Sequence, residues 1–566
     1  MKKLLLLLIL FSNGLLLNAQ NKASSFDWAF NTGGGGDSAT RMQYNSSGDL
    51  FILGTITGSG QFGTTPLNGG ANIRYIGKRE ANGTMTVLQT FKNYSAAYPF
   101  VIVPYDMAID NSDNIIVTGA LGYAVTPFDF GNGVSLTGKG FFMVKYNSAG
   151  VAQWAKLYDL NTTFNSYTSP IALQVLPNND IYFLAKSPNG TSPTWLIKLN
   201  SAGTELWHKE FLFQNIIKPQ NNFFADNSGN THIIVTSSNS SIVVLGETLT
   251  KEPNASIAPA YCSYILSFDA NGDKKTFKPI TGGSTDYAVE KQTGNIIFNH
   301  ASFYSGSPAQ YKLWPACPLN YKGYIATDGN YNYLKSQSGT FNPNDESIYP
   351  TGNLSFFGCA TTDFVGNGVT GQVSTGRTVT AGTQTYTVGV NKSAALLKFY
   401  DGNLNFYGFV AHPELNSLSV TYGIGKSYAV FNNKIAFSGA FSKSTDPIIN
   451  INGTTLTACN INNTGQDVFI TQVDVSSITL KTNRYEVSND IKIFPNPATN
   501  QLNLNFDINL ERANLKMISI LGQTVLEKQN LSGNNLNIDV SNIANGVYII
   551  QVVEGTSVSN SKFIKQ

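Results

Sequence analysis

The side chains that most often carry out acid–base chemistry are sparse in this sequence. The chain has four histidines, at His208, His232, His300 and His412. They lie far apart, so catalysis by histidine would require several of them to converge in the folded chain. The sequence contains neither the His pair of zinc proteases nor a Gly-x-Ser-x-Gly elbow. Paired carboxylates for glycoside hydrolysis remain open, because the two acids need not be neighbours in sequence. We therefore assign no catalytic residue.

Two short motifs resemble cofactor or metal sites but lack the necessary context. Residues 58–63 fit the Gly-x-Gly-x-x-Gly pattern, yet no helical pattern follows them to hold a pyrophosphate. Residues 269–273 alternate oxygen ligands like the start of a calcium loop, but the Glu that completes such a loop is missing. The same position is a plain turn elsewhere in the chain. We therefore predict no cofactor and no metal.

An aromatic cluster is the best candidate for ligand binding. Its members are Tyr304, Tyr311, Trp314 and Tyr321. Exposed aromatic rings can stack on sugar rings or anchor a protein partner. The alternative is that these rings cap the hydrophobic core of a sheet. The cluster predicts a surface for a glycan or a protein.

Composition indicates an all-β protein. Of 566 residues, 13% are charged and 12% are aromatic, and 52 are glycine. Such a chain favours many short strands joined by polar turns. The net charge of +2 provides no basic stripe of the kind that nucleic-acid binding requires. We therefore exclude nucleic acid as a partner.

A tight polar turn between two apolar runs recurs along the chain. Asn, Asp and Gly suit such turns because they tolerate the positive φ of a hairpin. The first turn occurs at residues 45–49, 110–114, 177–180, 226–230, 292–295, 350–353 and 432–433. A second turn recurs in step at residues 81–83, 147–150, 200–203, 269–272, 328–330, 401–403 and, in degraded form, 474–477. Two hairpins per repeat predict four strands, which is typical of a β-propeller blade.

Two of the repeats are also similar to a known family. Residues 141–154 and 195–207 resemble the bacterial seven-bladed propeller repeat called SBBP. The resemblance implies a seven-bladed β-propeller over residues 20–483, with six or eight blades as alternatives. Residues 26–30 contain a Trp like that of both repeats, so we expect them to form the outer strand of the last blade. This pairing would remove a free sheet edge.

The two ends of the predicted blades differ in the length of their connections. One end has the short turns, whereas connections at the other end are long. The long ones are residues 57–71, 122–139, 238–260, 302–320, 361–392 and 442–465. Long loops on a rigid scaffold usually carry binding, so we predict the ligand surface at that end. The alternative is that they are only crossing connections.

The cysteines fall at the same end as the long connections. They are Cys262, Cys317, Cys359 and Cys459. An even number in an exported protein favours disulfides, although four cysteines allow three pairings. Their positions on neighbouring blades favour Cys262 with Cys317 and Cys359 with Cys459. Zinc is the weaker alternative, because the close spacing of ligand pairs is missing.

The N-terminus has the pattern of a secretory signal. Lys2 and Lys3 precede an apolar run, and Ala19 provides a small residue for cleavage, which predicts a signal peptide at residues 1–19. A retained membrane helix is disfavoured, because polar residues 12–14 interrupt a run already shorter than the roughly 20 residues of a span. We expect no transmembrane segment in the mature chain.

After a polar linker at residues 484–490, residues 491–566 show short alternating apolar runs separated by Gly, Asn and Ser. This pattern predicts a small antiparallel β-sandwich. Its signature residues are Pro495, Asn496, Pro497, Gly522, Gly546 and Tyr548. Together they resemble the type A C-terminal sorting domain of the Bacteroidetes type IX secretion system. The resemblance implies export by the type IX machinery, followed by cleavage and surface anchoring or release.

The sequence therefore predicts a secreted protein, extracellular or at the outer-membrane surface, with a β-propeller that binds a glycan or a protein. We expect it not to be an enzyme. The alternative is an extracellular polysaccharide-active enzyme on the same scaffold. A purely structural spacer is a third interpretation.

Overall fold

The described part of the chain contains β-strands and no helix, which confirms the all-β fold class. The computed structural model describes residues 26–31, 38–68, 73–91, 102–158, 171–186, 194–211, 223–237, 241–250, 262–280, 283–289, 295–302, 321–338, 348–351, 356–362, 378–381, 384–387, 395–400, 406–411, 428–432, 434–442, 448–451, 454–458, 466–474, 491–519, 523–554 and 557–566. The chain divides into two compact units, Met1–Ile478 and Thr479–Gln566. The predicted signal peptide and linker lie outside the described residues.

The first unit is built from many short strands. They are β1 (Phe26–Asn31), β2 (Ser38–Tyr44), β3 (Leu50–Ile56), β4 (Ser59–Phe62), β5 (Thr65–Asn68), β6 (Ile73–Arg79), β7 (Met85–Phe91), β8 (Ile102–Ile109), β9 (Ile115–Gly131), β10 (Val134–Tyr146), β11 (Ala152–Tyr158), β12 (Ile171–Val175), β13 (Ile181–Lys186), β14 (Thr194–Leu199), β15 (Glu205–Phe211), β16 (Phe223–Ala225), β17 (Thr231–Ser237), β18 (Ser241–Val244), β19 (Glu247–Thr250), β20 (Cys262–Phe268), β21 (Lys274–Ile280), β22 (Gly283–Val289), β23 (Ile296–Ser302), β24 (Tyr321–Thr327), β25 (Tyr333–Ser338), β26 (Ile348–Thr351), β27 (Phe356–Thr362), β28 (Thr378–Ala381), β29 (Gln384–Thr387), β30 (Ala395–Tyr400), β31 (Phe406–Ala411), β32 (Tyr428–Phe431), β33 (Lys434–Ser442), β34 (Ile448–Ile451), β35 (Thr454–Thr457) and β36 (Gln466–Asp474).

Most of these strands form seven antiparallel four-stranded sheets, which we number in chain order. Sheets 1 to 4 are β2-β3-β6-β7, β8-β9-β10-β11, β12-β13-β14-β15 and β16-β17-β20-β21. Sheets 5 to 7 are β22-β23-β24-β25, β26-β27-β30-β31 and β32-β33-β36-β1. The strand predicted after each first turn is the second strand of its sheet. The N-terminal strand β1 completes sheet 7 by pairing with β36, as the sequence predicted.

A register shift at the start of the fourth strand marks the sheets as copies of one unit. In sheets 2 and 3, Trp154 lies opposite Lys145 and Trp207 opposite Lys198, one residue past a bulge. In sheet 7, Trp28 takes the same register opposite Gln472. Sheets 4, 5 and 6 carry the shift at the same place. The tryptophan that suggested the repeat therefore has a fixed structural position.

The polar turns are held by their own first residue. In the turn after β8, Asp110 Oδ1 accepts hydrogen bonds from the backbone N–H groups of Ser112 and Asn114, both at 2.9 Å. Asp269 accepts the corresponding bonds from Asn271 and Asp273 after β20. This confirms that residues 269–273 are a turn. Likewise, residues 58–63 form no helix and instead lead through β4 into the paired β5.

Hydrogen bonds between first strands join consecutive sheets. Gln43 Oε1 accepts a hydrogen bond from the backbone N–H of Ile109 in sheet 2 (3.1 Å). Gln174 makes the equivalent contact with Ala225 in sheet 4, as both donor and acceptor. The Tyr44 hydroxyl donates to Gln472 on β36, the third strand of sheet 7. The first strands of sheets 7, 1, 2, 3 and 4 lie side by side in that order, as do those of sheets 5 and 6.

An ion pair lies at the turn end of each of sheets 1 to 3, and the one in sheet 2 is buried. Lys145 Nζ lies 2.8 Å from Asp110 Oδ2, and it donates to the Ser201 carbonyl of sheet 3 (3.2 Å). Lys78 pairs with Asp49, and Lys198 pairs with Asp180, both at 3.0 Å. In each pair the Lys is on the third strand and the Asp is in the first turn or just after it.

The second unit contains β37 (Lys492–Phe494), β38 (Gln501–Ser519), β39 (Thr524–Asp539), β40 (Gly546–Glu554) and β41 (Ser557–Lys565). They form one five-stranded sheet in the order β37-β38-β40-β41, with β39 paired to β38. Several register shifts divide the long β38–β39 hairpin into two halves. Leu504 from one half and Met517 from the other belong to the same buried core as Phe563. The residues predicted to form a sandwich thus form one continuous sheet whose two halves share a core.

Candidate functional site

The long connections between second and third strands contain β-hairpins rather than irregular loops. Sheets 1, 4, 6 and 7 insert β4–β5, β18–β19, β28–β29 and β34–β35 at this point. In sheet 2, β9 and β10 extend beyond their sheet as one continuous hairpin. Buried apolar side chains alternate with exposed side chains along β34–β35, where Ile449, Ile451 and Leu456 are buried. These hairpins occupy five of the six connections in which the sequence predicted a binding surface.

The hairpins fold back along their own sheets. A Cβ at Gly63, at the tip of β4–β5, would lie 2.7 Å from Cβ of Met85, the first residue of β7. Asn132 Nδ2 at the tip of β9–β10 donates to the carbonyl of Ala152, the first residue of β11 (2.9 Å). In sheet 4, Glu247 pairs with Lys274, the first residue of β21. The tips therefore return to the turn end of the sheet, which sequence reasoning did not anticipate.

In sheets 1, 2 and 4, the buried side of the hairpin fills space between consecutive sheets. Phe128 and Phe130 share a core with Phe91 of sheet 1 and Phe142 of sheet 2. Hairpin β18–β19 contributes to a core that includes Leu196 of sheet 3 and residues of sheet 4. These three hairpins thus have one side in a core between sheets and one side that is exposed. Such a surface can hold a partner without first being ordered.

No such hairpin is present between sheets 2 and 3 among the residues that the structure describes. Only seven residues separate β13 from β14, and aromatic rings from both sheets pack here. The Trp195 ring lies 4.9 Å from that of His208, whose Nδ1 is 2.6 Å from Glu205 Oε1. Burial, and secondly the charge of Glu205, raise the pKa of Tyr158 in the same core. This group combines aromatic surface with an exposed acid and an imidazole, and the sequence did not single it out.

The predicted aromatic site is only partly within the described residues. Tyr321 is the first residue of β24, where its backbone pairs with Ser302. Tyr304, Tyr311 and Trp314 lie outside the described residues. Their role as a ligand surface therefore stays a prediction.

The disulfide hypothesis also stays a prediction. Cys262 begins β20, the third strand of sheet 4, and Cys359 lies in β27, the second strand of sheet 6. Cys317 and Cys459 lie outside the described residues. Within the described part of the chain, no group of three or more His, Cys, Asp or Glu side chains is arranged to hold a metal ion.

The described histidines do not converge. His232 is buried in sheet 4, where its Nδ1 lies 2.5 Å from the Tyr331 hydroxyl of sheet 5. Burial raises the pKa of Asp226, but hydrogen bonds from His232 and Asn230 outweigh it and lower the pKa to about 2. The group joins two sheets and is buried, which indicates a structural role. His300 lies in β23, and His412 lies outside the described residues.

In the second unit, the Pro-Asn-Pro segment closes the outer edge of the last strand. Asn496 Nδ2 donates to the carbonyl of Lys562 (3.2 Å), and Asn496 Oδ1 accepts from the N–H of Ile564 (2.9 Å). The backbone of Ala498 continues the pairing with Ile564 and Gln566. Because Pro495 and Pro497 have no N–H, the Asn side chain supplies the donor and acceptor that a paired strand would supply. We call this contact the Asn496 clasp.

Two of the remaining signature residues, Gly546 and Tyr548, lie on strand β40, which pairs with β41. The Tyr548 hydroxyl donates to the Ala544 carbonyl (2.8 Å), and its ring stacks on Phe563 at 5.6 Å. Gly546 pairs with Lys565, a buried lysine whose Nζ lies 3.4 Å from Asn545 Oδ1. Gly522 lies outside the described residues. The first and last residues of the second unit's sheet, far apart in sequence, thus form one structural element.

Residues 492–566 match the family described as "Secretion system C-terminal sorting domain". The match supports secretion by the type IX system, and hence an extracellular or cell-surface location. It also implies the type IX machinery as a partner of this sorting domain. No curated protein matches the chain. In the part of the chain that the structure covers, no helix is both long and apolar enough to span a bilayer.

Several solved structures resemble the chain at low identity. The polysaccharide lyase PL25-Ulvanlyase is 10% identical, covering 72% of this chain and 92% of that one, with a TM-score of 0.36. One of two prolyl endopeptidases is 8% identical over 92% of this chain and 53% of its own, with a TM-score of 0.35. A eukaryotic initiation factor is 10% identical, covering 67% of this chain and 79% of that one, with a TM-score of 0.31. Likenesses this distant do not assign an activity, so function must be argued from the chain's own residues.

Proposed function

We propose that this protein is an exported, non-enzymatic binding protein whose seven sheets are the blades of a β-propeller. Four-stranded sheets with a repeated bulge, first strands side by side and an N-terminal strand completing the last sheet support this architecture. In this proposal the sheets are of the SBBP type, and the sorting domain delivers them to the surface of a Bacteroidetes cell. The signal peptide at residues 1–19 belongs to the same proposal.

The ligand in this proposal is a glycan or a protein that binds at the outer side of the sheets. The observation that carries it is the group of Trp195, His208 and Glu205 between sheets 2 and 3. There the side chains are aromatic, acidic and exposed, whereas hairpins fill other gaps with aliphatic and phenyl groups. Aromatic faces stack on sugar rings, and carboxylates accept hydrogen bonds from hydroxyl groups. The predicted cluster around Tyr321, on sheet 5, is a second candidate ligand surface in this proposal.

The test is binding of the purified full chain to a glycan array and to extracellular proteins. We expect the double variant Glu205→Gln, His208→Ala to weaken binding about tenfold, because it removes a charged acceptor at the surface. The matched control is Glu247→Gln, Lys274→Ala. Both pairs are exposed to the same degree, at 46% and 40% for His208 and Glu205 and 45% and 40% for Lys274 and Glu247. Equal binding by the two double variants would reject this location.

The enzymatic alternative is tested on the same preparation. Polysaccharides that bind are incubated with the full chain, and new chain ends are measured over time. Turnover would replace the proposal of a non-enzymatic protein with that of a polysaccharide-active enzyme. The role of the sorting domain in export is tested separately by deleting residues 491–566. We expect this deletion to leave the protein in the periplasm.

A further inference from the structure

The outer face of the sorting domain carries an aliphatic patch where alternation would place polar residues. Ile549 is 43% exposed and Ile564 is 37% exposed, although both lie on strands whose other side is the core. Ile518 and Val547 are half-buried on the same face. Ile518 lies directly opposite Ile549, and Val547 lies directly opposite Ile564. Directly opposed side chains on one face of a sheet are in contact distance, so the four form one block.

The outer face formed by the other half of the β38–β39 hairpin is different. There Asn537 Nδ2 donates to Gln501 Oε1 (3.3 Å) and to Asn503 Oδ1 (3.1 Å), forming a row of amides across two strands. An amide row is well solvated, whereas an exposed aliphatic block is not. Within this small domain, a partner that covers the aliphatic face therefore lowers the free energy by removing apolar surface from water.

The border of the patch has a positive charge. Lys562 is exposed and lies opposite Ile549 on β41. Lys516 lies two residues before Ile518 on β38. Its Nζ is 3.6 Å from Glu527 Oε1, so its charge is locally balanced. Lys562 makes no ion pair among the described residues. A partner that covers the block therefore gains by placing a carboxylate at its rim.

We propose that the block of Ile518, Val547, Ile549 and Ile564 is the docking face by which the type IX machinery binds this domain. The partner is a protein surface with an apolar centre and an acidic rim next to Lys562. The inference rests on the proposed export of the chain, because a sorting domain must be bound by the apparatus that exports it. The Asn496 clasp keeps Ile564 in the sheet and so supports the block.

The test is export of full-length variants in a bacterium with a type IX system. We expect Ile549→Thr, Ile564→Thr to reduce the protein at the surface and in the medium about tenfold or more, because a few central residues dominate most interfaces. Thr keeps the β-branched shape of Ile, so the strands are retained. Ile448→Thr is the matched control, since Ile448 is a more exposed isoleucine (59%) on a strand of the first unit. Thermal unfolding of the purified variants confirms that each is folded.

The outcomes separate this inference from the proposed role of the sorting domain in export. The docking face is supported if export is lost both on deleting residues 491–566 and in the double variant, but is kept in the control. If deletion abolishes export but the double variant is exported normally, the docking face is overturned, whereas the role of the sorting domain in export stands. Normal export after deletion overturns both. A wild-type chain that sediments as a dimer, with the dimer lost in the double variant, would assign the face to a second copy and overturn the proposal. If the double variant unfolds, Ile549→Thr alone decides by the same criteria.

Discussion

The Asn496 clasp makes a quantitative prediction for the sorting domain. Replacing Asn496 by Asp keeps the acceptor for the N–H of Ile564 but places a carboxylate oxygen against the Lys562 carbonyl, where the amide now donates. One hydrogen bond is lost and two oxygens face each other. Because the site is exposed, we expect a loss of about 1–2 kcal/mol in the free energy of unfolding of this domain. For a domain of this size, that corresponds to a melting temperature lower by roughly 4–16 °C.

Hydrogen exchange of the full chain measures this effect locally. The amide of Ile564 should exchange about 5- to 30-fold faster in the Asn496→Asp variant, as expected for a loss of one or two kcal/mol. The defect should be largest when the new carboxylate is ionised and should lessen below about pH 4, since the protonated acid can again donate to the carbonyl. Asn509→Asp is the control, because Asn509 is exposed on β38 of the same domain. Unchanged exchange at Ile564, or an equal effect in the control, would refute the clasp.

Other perturbations test the first unit. Lys145→Met leaves Asp110 buried without its cation, since the two side chains are 8% and 2% exposed. The free energy of unfolding, measured in urea or by heating, should fall by about 3–5 kcal/mol. Lys516→Met, which breaks the exposed pair with Glu527, is the control, and an equally small cost in both variants would contradict the argument. Asn230→Ala should raise the pKa of Asp226 from about 2. The stabilisation from that carboxylate is complete above its ordinary pKa of 3.8 and is lost as pH falls through its folded pKa. A raised folded pKa reduces this stabilisation, so acid unfolding should begin at higher pH, and an unchanged onset of acid unfolding would exclude the effect. Deleting β1 leaves the edge of β36 unpaired and should lower the melting temperature and increase proteolysis of sheet 7, whereas an unchanged protein would show that this pairing is dispensable.

Turn chemistry made much of the fold predictable from the sequence. An Asp or Asn that accepts hydrogen bonds from the backbone two and four residues later, as Asp110 and Asp269 do, makes a local contact that is visible in sequence. The second strand of each sheet follows directly from these turns. Pairing of β1 with β36 was predictable because Trp28 repeats the position of Trp154 and Trp207. Each of these inferences depends on a pattern that recurs along the chain.

The site was less predictable, because its contacts join residues that are distant in sequence. The clasp joins Asn496 to Ile564 across most of the domain, and the motif gave no sign of which groups the Asn side chain bonds. Trp195 and His208 belong to two strands of one sheet whose register decides their proximity. The sequence predicts loops for the long connections, because the alternation of apolar and polar residues in them is short. Alternation over four residues does not reveal which sheet the buried side will cover.

The hairpins and the group at Trp195 together support the proposed location of the ligand. In the proposed propeller the sheets diverge outward, so the space between them must be filled by the chain's own side chains or by a ligand. Between sheets 1 and 2, Phe128 and Phe130 of a hairpin fill it. Between sheets 2 and 3, Trp154, Tyr158 and Trp195 take that place and leave His208 and Glu205 exposed at the rim. A gap filled by partly exposed aromatic rings can accept a further ring or a short strand without unpacking a core, whereas a gap closed by a hairpin cannot.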